Sequence, residues 1–144
     1  MSDTIESARA ADLPAIVALL LANKLPRAGI EGHISTTLVA REAGRLVGCA
    51  AIEPYGAAGL LRSVAVELAS RGRGLGQALT QASLDLARGR GIKTLYLLTE
   101  TAAGFFPRFG FRTISRTDVD PAVQRSVEFT TACPTSALVM QAEV

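Results

Sequence analysis

A glycine-rich loop with two arginines, Arg71–Gly76, combines the residue types and spacing that bind phosphate. It follows an apolar, strand-like run, Leu60–Val66, and leads directly into a helix-like run, Leu75–Arg88. Glycine lets the backbone approach a ligand closely and adopt positive φ. The first turn of a helix offers unpaired N–H groups and the positive end of the helix dipole, and arginine adds charge-assisted hydrogen bonds. The stretch therefore predicts a phosphate-binding loop.

Three classes of glycine loop compete for this stretch. A P-loop requires Gly-Lys followed by Ser or Thr, and the chain contains no Gly-Lys pair. A dinucleotide fingerprint requires a third glycine where this chain has Gln77, and it follows the first strand of a parallel unit. The third class, Arg71-x-x-Gly74-x-Gly76 after a strand that splays from its neighbour, fits the residues. The alternative is a tight strand-to-helix connection without a ligand.

The elements that would position this loop follow from hydrophobic spacing and turn residues. Helical spacing after Asp12 and Pro14 predicts a helix that ends at Leu25. Three strands of an antiparallel meander precede the loop, and an apolar parallel strand follows the long helix. The predicted strands are Thr4–Arg9, Thr37–Glu42, Leu46–Glu53, Leu60–Val66, Lys93–Thr99, Phe111–Ser115 and Ala137–Gln141. A turn over Pro54–Gly59 and a short helix over Thr101–Phe109 complete the pattern.

Length and composition limit the classes of protein. The 144 residues fit one domain, residues 1–144, with no linker or internal repeat. A net charge of +2 is too small to indicate nucleic-acid binding, and no apolar run is long enough to span a membrane. The N-terminus lacks a basic region, so we expect a cytoplasmic protein. With His33 as the only histidine and two distant cysteines, we expect no metal site.

With these elements in order, the chain resembles the GCN5-related N-acetyltransferase superfamily. The resemblance covers essentially the whole chain and rests on the loop, on Leu61–Val66 before it and on Phe105–Phe111 after the next strand. It implies an α/β (α+β in some schemes) fold: a mixed, mostly antiparallel sheet of six to seven strands, splayed between strands 4 and 5, with about four helices. It also implies acetyl-CoA as cosubstrate, with the pantetheine arm on strand 4 and the pyrophosphate on the loop. The implied cofactor contacts are Val64, Ala65, Val66, Arg71, Gly72, Arg73, Gly74, Leu75, Gly76, Gln77, Thr99 and Phe106.

Two subgroups of this superfamily are similar to particular stretches of the chain. Cys49–Gly56, Leu60–Ser63, Leu97–Ala102 and Phe129–Ala137 resemble arsenic-resistance N-acetyltransferases. The Leu-Arg-Ser-x-Ala-Val run is also similar to short N-acetylglutamate synthases. Both resemblances point to a small amine that carries a carboxylate or a similar anion.

Acetyl transfer to an amine requires a base, stabilisation of an oxyanion and a proton for the leaving thiolate. Where many members of the superfamily have a tyrosine as the acid, this chain has Phe106, and Tyr55 and Tyr96 are its only tyrosines. We expect Glu53 to be the base, with Glu100 as second candidate. The alternatives are a surface carboxylate at a turn for Glu53 and a helix-dipole partner for Glu100.

Candidate substrate contacts lie on strand 4, in the turn before it and in the segment 117–134. An arginine in an apolar sheet requires a partner, so Arg62 is a candidate anchor for an anionic substrate, with Glu53 as ion partner. The alternative is an arginine paired across a solvent-facing sheet. Ser63, Tyr55 and Arg125 are further candidate contacts, and the segment 117–134, which includes Cys133, is a candidate lid.

The predicted function is therefore acetyl-CoA-dependent, direct acetyl transfer in a ternary complex to the amino group of a small, amino-acid-like molecule, with a link to arsenical or xenobiotic resistance as an open expectation. The alternative is a non-catalytic acetyl-CoA-binding sensor or partner module, which Phe106 favours. A homodimer is the assembly that we consider.

Overall fold

The computed structural model describes residues 4–132 and 136–144, so Cys133 lies outside the described residues. Seven strands form one sheet in the order β1-β2-β3-β4-β5-β7-β6. All neighbouring strands are antiparallel except β4 and β5, which are parallel. The strands are β1 Thr4–Ser7, β2 Thr37–Glu42, β3 Arg45–Tyr55, β4 Ala58–Val66, β5 Thr94–Thr99, β6 Arg112–Ile114 and β7 Leu138–Glu143. The predicted mixed sheet is confirmed.

Two α-helices in the described residues cover opposite faces of the sheet. Helix α1, Leu13–Ala22, buries Ile16 and Leu20 against the face that carries Val39 and Cys49. Helix α2, Leu75–Gly89, buries Leu79 and its neighbours against the other face. Short 3₁₀ helices, among them Ile30–Thr36 and Phe106–Phe109, supply most of the remaining helical structure. No helix of the described chain is long and apolar enough to cross a membrane.

Two predicted elements differ from the observed ones. The turn predicted over Pro54–Gly59 is wrong, because β3 runs to Tyr55 and pairs Pro54 with Gly59. Proline is tolerated there because β2 begins opposite Ala51, so this end of β3 has no neighbour on that side. The predicted helix over Thr101–Phe109 is also wrong in extent: only Phe106–Phe109 is helical, as a 3₁₀ turn.

Strands β4 and β5 pair only at their first three residues, Ala58–Leu60 with Thr94–Tyr96, and then diverge. The rest of β4 therefore has an edge without a neighbouring strand, as the predicted splay requires. A bulge lies in β4 opposite Ala50, between the Ala51–Arg62 and Cys49–Ala65 pairs. Ser63, inside this bulge, has a left-handed φ of 61°. The bulge shifts the alternation by one residue, so Leu61 before it and Val64 after it both pack towards α2.

The segment 117–134 was predicted as a candidate lid, and its described part, residues 117–132, packs on the sheet in short turns. Val119 and Val123 are buried in a third apolar cluster with Leu60 of β4, Tyr96 of β5 and Val139 of β7. This packing brings Ser126 and Glu128 to the β4 side of the sheet, where both are buried.

Candidate active site

A cavity of about 750 Å³, here called the loop cavity, lies where β4 ends and α2 begins. Its walls come from the free edge of β4, from the glycine loop with the first turn of α2, and from the segment 101–108. It brings together ten of the twelve predicted cofactor residues, and only Arg73 and Thr99 lie outside it. The ten are Val64, Ala65, Val66, Arg71, Gly72, Gly74, Leu75, Gly76, Gln77 and Phe106.

The start of α2 presents backbone donors to the loop cavity. Its first helical hydrogen bond runs from the Ala78 N–H to the Gly74 carbonyl, at 2.9 Å. The N–H groups of the three preceding helical residues therefore have no partner within the helix, and all three residues line the cavity. Gly74 makes this geometry possible, because the residue before the helix has a φ of 81°. A Cβ built on Gly76 would point towards the ring of Phe105 at 3.7 Å, within the cavity.

The arginines around this cavity have different partners. Arg71 lines the cavity and donates to the Val66 carbonyl at 3.1 Å and to the Asn23 side chain. Arg73 instead pairs with Glu42 on the outside of the loop. Arg108, which the sequence analysis did not single out, lines the cavity and stacks over Phe105 at 4.9 Å. The positive charge at this cavity therefore comes from Arg71 and Arg108.

A second cavity of about 420 Å³, here called the gap cavity, lies between the diverging strands β4 and β5. Its walls come from the end of α1, from Leu61–Val64, from Leu97–Ala102 and from Glu128. Val64 and Phe106 line both cavities. The two cavities therefore adjoin at the point where the sheet opens.

A buried arginine holds the β4 wall of the gap cavity in place. The Arg62 side chain has no exposed surface and donates to the Glu53 carboxylate at 2.8 Å, so the predicted ion pair is present. It also donates to the carbonyls of Ala28 and Pro26 and to the Ser63 hydroxyl, and it lies 3.4 Å from the Glu128 carboxylate. One guanidinium thus joins β4, β3, the loop after α1 and the turn at residue 128.

Glu53 is buried inside this network and lines neither cavity. One carboxylate oxygen accepts from the Tyr55 hydroxyl at 2.6 Å and the other from Arg62. Burial alone would raise the pKa of Glu53, but hydrogen bonds from Ser126, Tyr55 and Arg62 outweigh it and hold the pKa below its ordinary value. Burial and the bond to Glu53 raise the pKa of Tyr55 to about 12. The Glu53 carboxylate is therefore placed to hold the side chains of Tyr55, Arg62 and Ser126 in position by hydrogen bonds.

The other predicted residues fall into two groups. Glu100, Ser63 and Thr99 line the gap cavity, and the Thr99 hydroxyl accepts from the Ala102 N–H at 2.9 Å. Tyr55, Tyr96 and Arg125 line neither cavity. Tyr55 ends β3 rather than standing in a turn, Tyr96 is buried, and Arg125 is exposed on the surface. Phe106 is a buried wall residue between the cavities.

Sequence reasoning missed the residues that reach the cavities from distant segments. Asn23 lines both cavities and Lys24 lines the gap cavity, both at the end of α1. Nothing in the helical spacing of α1 indicates that its C-terminus lies at the opening between β4 and β5. Among the described residues, no group of three or more histidine, cysteine, aspartate or glutamate side chains is arranged to hold a metal ion.

Residues 33–113, more than half of the chain, match the family model described as "Acetyltransferase (GNAT) domain". The chain belongs to the GNAT acetyltransferase family. This match confirms the resemblance on which the sequence analysis relied.

Curated relatives and solved structures agree with this membership. The chain is 32% identical over 127 residues to an "Amino-acid acetyltransferase" of Neisseria meningitidis, covering 81% of this chain and 29% of the relative. N-acetylglutamate synthase from Neisseria gonorrhoeae, complexed with coenzyme A and N-acetyl-glutamate, superposes with a TM-score of 0.84 at 25% identity, covering 99% of this chain and 35% of that one. Rv2747 from Mycobacterium tuberculosis, in complex with CoA, gives a TM-score of 0.83 at 27% identity and covers 98% and 99% of the two chains. The chain thus spans about a third of the length of the Neisseria proteins.

Proposed function

We propose that this chain is an acetyl-CoA-dependent N-acetyltransferase that acts on the amino group of a small, amino-acid-like molecule, by direct transfer in a ternary complex. The observation that carries the proposal is the junction of the two cavities at Val64 and Phe106. A donor in one cavity and an acceptor in the other are held with their reacting ends together, which converts a bimolecular step into an effectively unimolecular one.

The residues of the loop cavity fit acetyl-CoA. The free N–H groups at the start of α2 and the side chains of Arg71 and Arg108 suit a pyrophosphate. The missing side chain of Gly76 keeps this part of the cavity open. The edge of β4 from Leu61 onwards has no strand beside it and offers backbone groups to the amide-containing pantetheine arm. When bound, the cosubstrate supplies an acetyl thioester: a C–N bond to the acceptor forms, the C–S bond breaks and CoA leaves.

The acceptor amine must lose a proton, and we propose Glu100 as the group that accepts it. Glu100 follows β5 at the edge of the gap cavity and is exposed, so a substrate can reach it. Glu53, the other candidate, has both oxygens engaged and lines neither cavity. We therefore propose that Glu53 positions Arg62 and Ser63 and does not itself take the proton.

Phe106 lies at the junction of the cavities and cannot donate a proton. Neither Tyr55 nor Tyr96 lines either cavity. We propose that CoA leaves as a thiolate that is protonated by water. The same observation favours the alternative function, an acetyl-CoA-binding module without catalysis.

Three further predictions from the sequence accompany this proposal. They are the link to arsenical acceptors, the cytoplasmic location and the homodimer. The first can be tested together with the proposed activity, by including arsenical amino acids among the acceptors.

The test is CoA release with acetyl-CoA and a panel of amines, amino acids and arsenical amino acids. We expect release above hydrolysis with at least one acceptor. Glu100→Gln should keep CoA binding, measured by calorimetry, and slow transfer by about a hundredfold, the usual effect of a lost general base. If no acceptor raises CoA release while CoA still binds, the binding module is the better description.

A matched pair of glycine variants tests the cofactor cavity itself. Gly76→Leu fills the loop cavity at the first turn of α2, whereas Gly89→Leu places the same side chain at the exposed end of that helix. Gly76→Leu should weaken CoA binding by at least about tenfold, and Gly89→Leu should leave it unchanged. Equal CoA affinity of both variants would contradict the assignment of the cavity.

A further inference from the structure

The charges of the gap cavity do not all pair with one another. Among the described residues, the charged side chains that line it are Lys24, Arg62, Glu100 and Glu128. Arg62 and Glu128 lie 3.4 Å apart and are buried. Lys24 and Glu100 are exposed, and neither forms an ion pair or a side-chain hydrogen bond within the described chain. After internal pairing, the cavity is left with one cation and one anion.

These two charges belong to opposite sides of the opening between the strands. Lys24 belongs to the loop after α1, which is tied to β4 through the hydrogen bonds of Arg62 to the Pro26 and Ala28 carbonyls. Glu100 directly follows β5. A free amino acid carries an ammonium group and a carboxylate group on one carbon, and this arrangement offers a partner to each.

Arg62, which the sequence analysis considered as the anion anchor, is already committed to protein partners. Nη1 donates to the Ala28 carbonyl at 2.7 Å and to Glu53 at 2.8 Å, Nη2 to the Pro26 carbonyl at 3.1 Å, and Nε to Ser63 at 3.0 Å. Its side chain has 0% exposed surface. Lys24 is therefore the cation of this cavity that remains available to a ligand.

The backbone of Lys24 adds an independent reason to assign it a role. Helix α1 ends with the Leu25 N–H bonded to the Leu20 carbonyl at 2.9 Å and the Lys24 N–H bonded to the Leu21 carbonyl at 3.1 Å. Lys24 has a φ of 58° at this turn, the left-handed position that glycine normally occupies after a helix. Of the three described non-glycine residues with positive φ, Lys24 and Ser63 line the gap cavity. Strained backbone of this kind concentrates at functional sites.

We propose that Lys24 binds the carboxylate of the acceptor, so that the gap cavity selects free amino acids over amines that lack an adjacent carboxylate. The proposal rests on the proposed function, because it takes the gap cavity as the acceptor site. The Lys24 ammonium binds the carboxylate on the β4 side, and the amino group is directed to Glu100 and the junction with the loop cavity.

The test uses the full chain saturated with CoA and compares L-amino acids with their α-carboxamides. Calorimetry should give at least about tenfold tighter binding of the preferred acid than of its amide, as expected for a charge-assisted hydrogen bond. Lys24→Gly should abolish that preference, raise the acceptor KM at least about tenfold and leave the acetyl-CoA KM unchanged. Its melting temperature should equal or exceed that of the wild type, because glycine suits the left-handed position. Lys24→Arg should retain the preference.

The outcomes separate this proposal from the proposed function. Equal binding of acids and amides by the wild type, or a preference that survives in a folded Lys24→Gly variant, overturns the role of Lys24. Acetylation of simple amines would then still support the proposed function. Selective binding of acids that Lys24→Gly abolishes supports the anchor, even if no acetyl transfer follows and the proposed function fails.

Discussion

The loop cavity and the gap cavity adjoin each other but are constructed differently. The loop cavity is formed largely by residues 64–77, and its recognition groups are backbone N–H groups at a helix start. The gap cavity draws on segments from residue 23 to residue 137, and its character depends on which side chains pair with one another. With the loop cavity proposed for the donor and the gap cavity for the acceptor, donor recognition would be encoded locally and acceptor recognition would depend on the tertiary arrangement. Four substitutions test this difference.

The largest effect is expected for Arg62→Met, which removes the guanidinium that holds the β4 wall of the gap cavity. It leaves the buried carboxylates of Glu53 and Glu128 without this partner. Breaking a buried ion pair in this way costs about 3–5 kcal/mol in the free energy of unfolding. Urea denaturation measures the loss. Arg45→Met, which breaks the exposed pair with Glu67, should change the free energy of unfolding far less, because solvent screens that pair, and is the control.

A smaller effect with a defined pH dependence is expected for Glu53→Gln. Because the folded pKa of Glu53 lies below its ordinary value of 4.5, its carboxylate stabilises the fold above that pH, and this contribution is lost as the pH falls further. Glu53→Gln should destabilise the protein at neutral pH by about 1–3 kcal/mol and flatten the loss of stability below pH 4.5. Unfolding measured from pH 7 to pH 3 provides the comparison. If the free energy of unfolding of Glu53→Gln fell with decreasing pH as steeply as that of the wild type, groups other than Glu53 would account for the acid sensitivity.

The next effect in size, on the rate of transfer rather than on stability, is expected for Phe106→Tyr at the junction of the two cavities. A hydroxyl here can donate a proton to the leaving thiolate, so we expect kcat to rise by about tenfold. Phe105→Tyr is the matched control, since Phe105 contacts Phe106 edge to face but lines only the loop cavity. A kcat that is unchanged in both variants would mean that departure of the thiolate does not limit the rate.

The smallest effect is expected at the loop cavity, where side chains supplement backbone N–H groups. Arg71→Met should weaken CoA binding about three- to tenfold, because it removes one charge at the rim of the loop cavity. Arg73→Met should change the affinity less than about twofold, since Arg73 pairs with Glu42 outside the cavity. Calorimetric titration with CoA measures both, and a larger loss for Arg73 would invert the predicted roles of the two arginines.

Prediction from sequence succeeded for elements whose determining residues, such as turn residues and apolar repeats, are close together in the chain. The meander, the long helix after the loop and the splay were expected, and the corresponding elements are present. The turn over Pro54–Gly59 was misplaced because proline and glycine were taken to end the strand. Whether proline ends a strand depends on whether a neighbouring strand requires its N–H, and local residue types do not show this. Opposite Pro54 there is no β2 residue, so its missing N–H disrupts no pairing on that side.

The sequence by itself determined the family, the sheet and the cavity at the start of α2, because glycine, helix start and strand follow one another within a few residues. The pairing of Arg62 with Glu53 was expected from the sequence, but only the tertiary structure decided how the other charged side chains are placed. It buried that pair beside Glu128 and left Lys24 and Glu100 exposed at the gap cavity. The physical reason is that the partner of a charge is set by contacts between segments far apart in the chain.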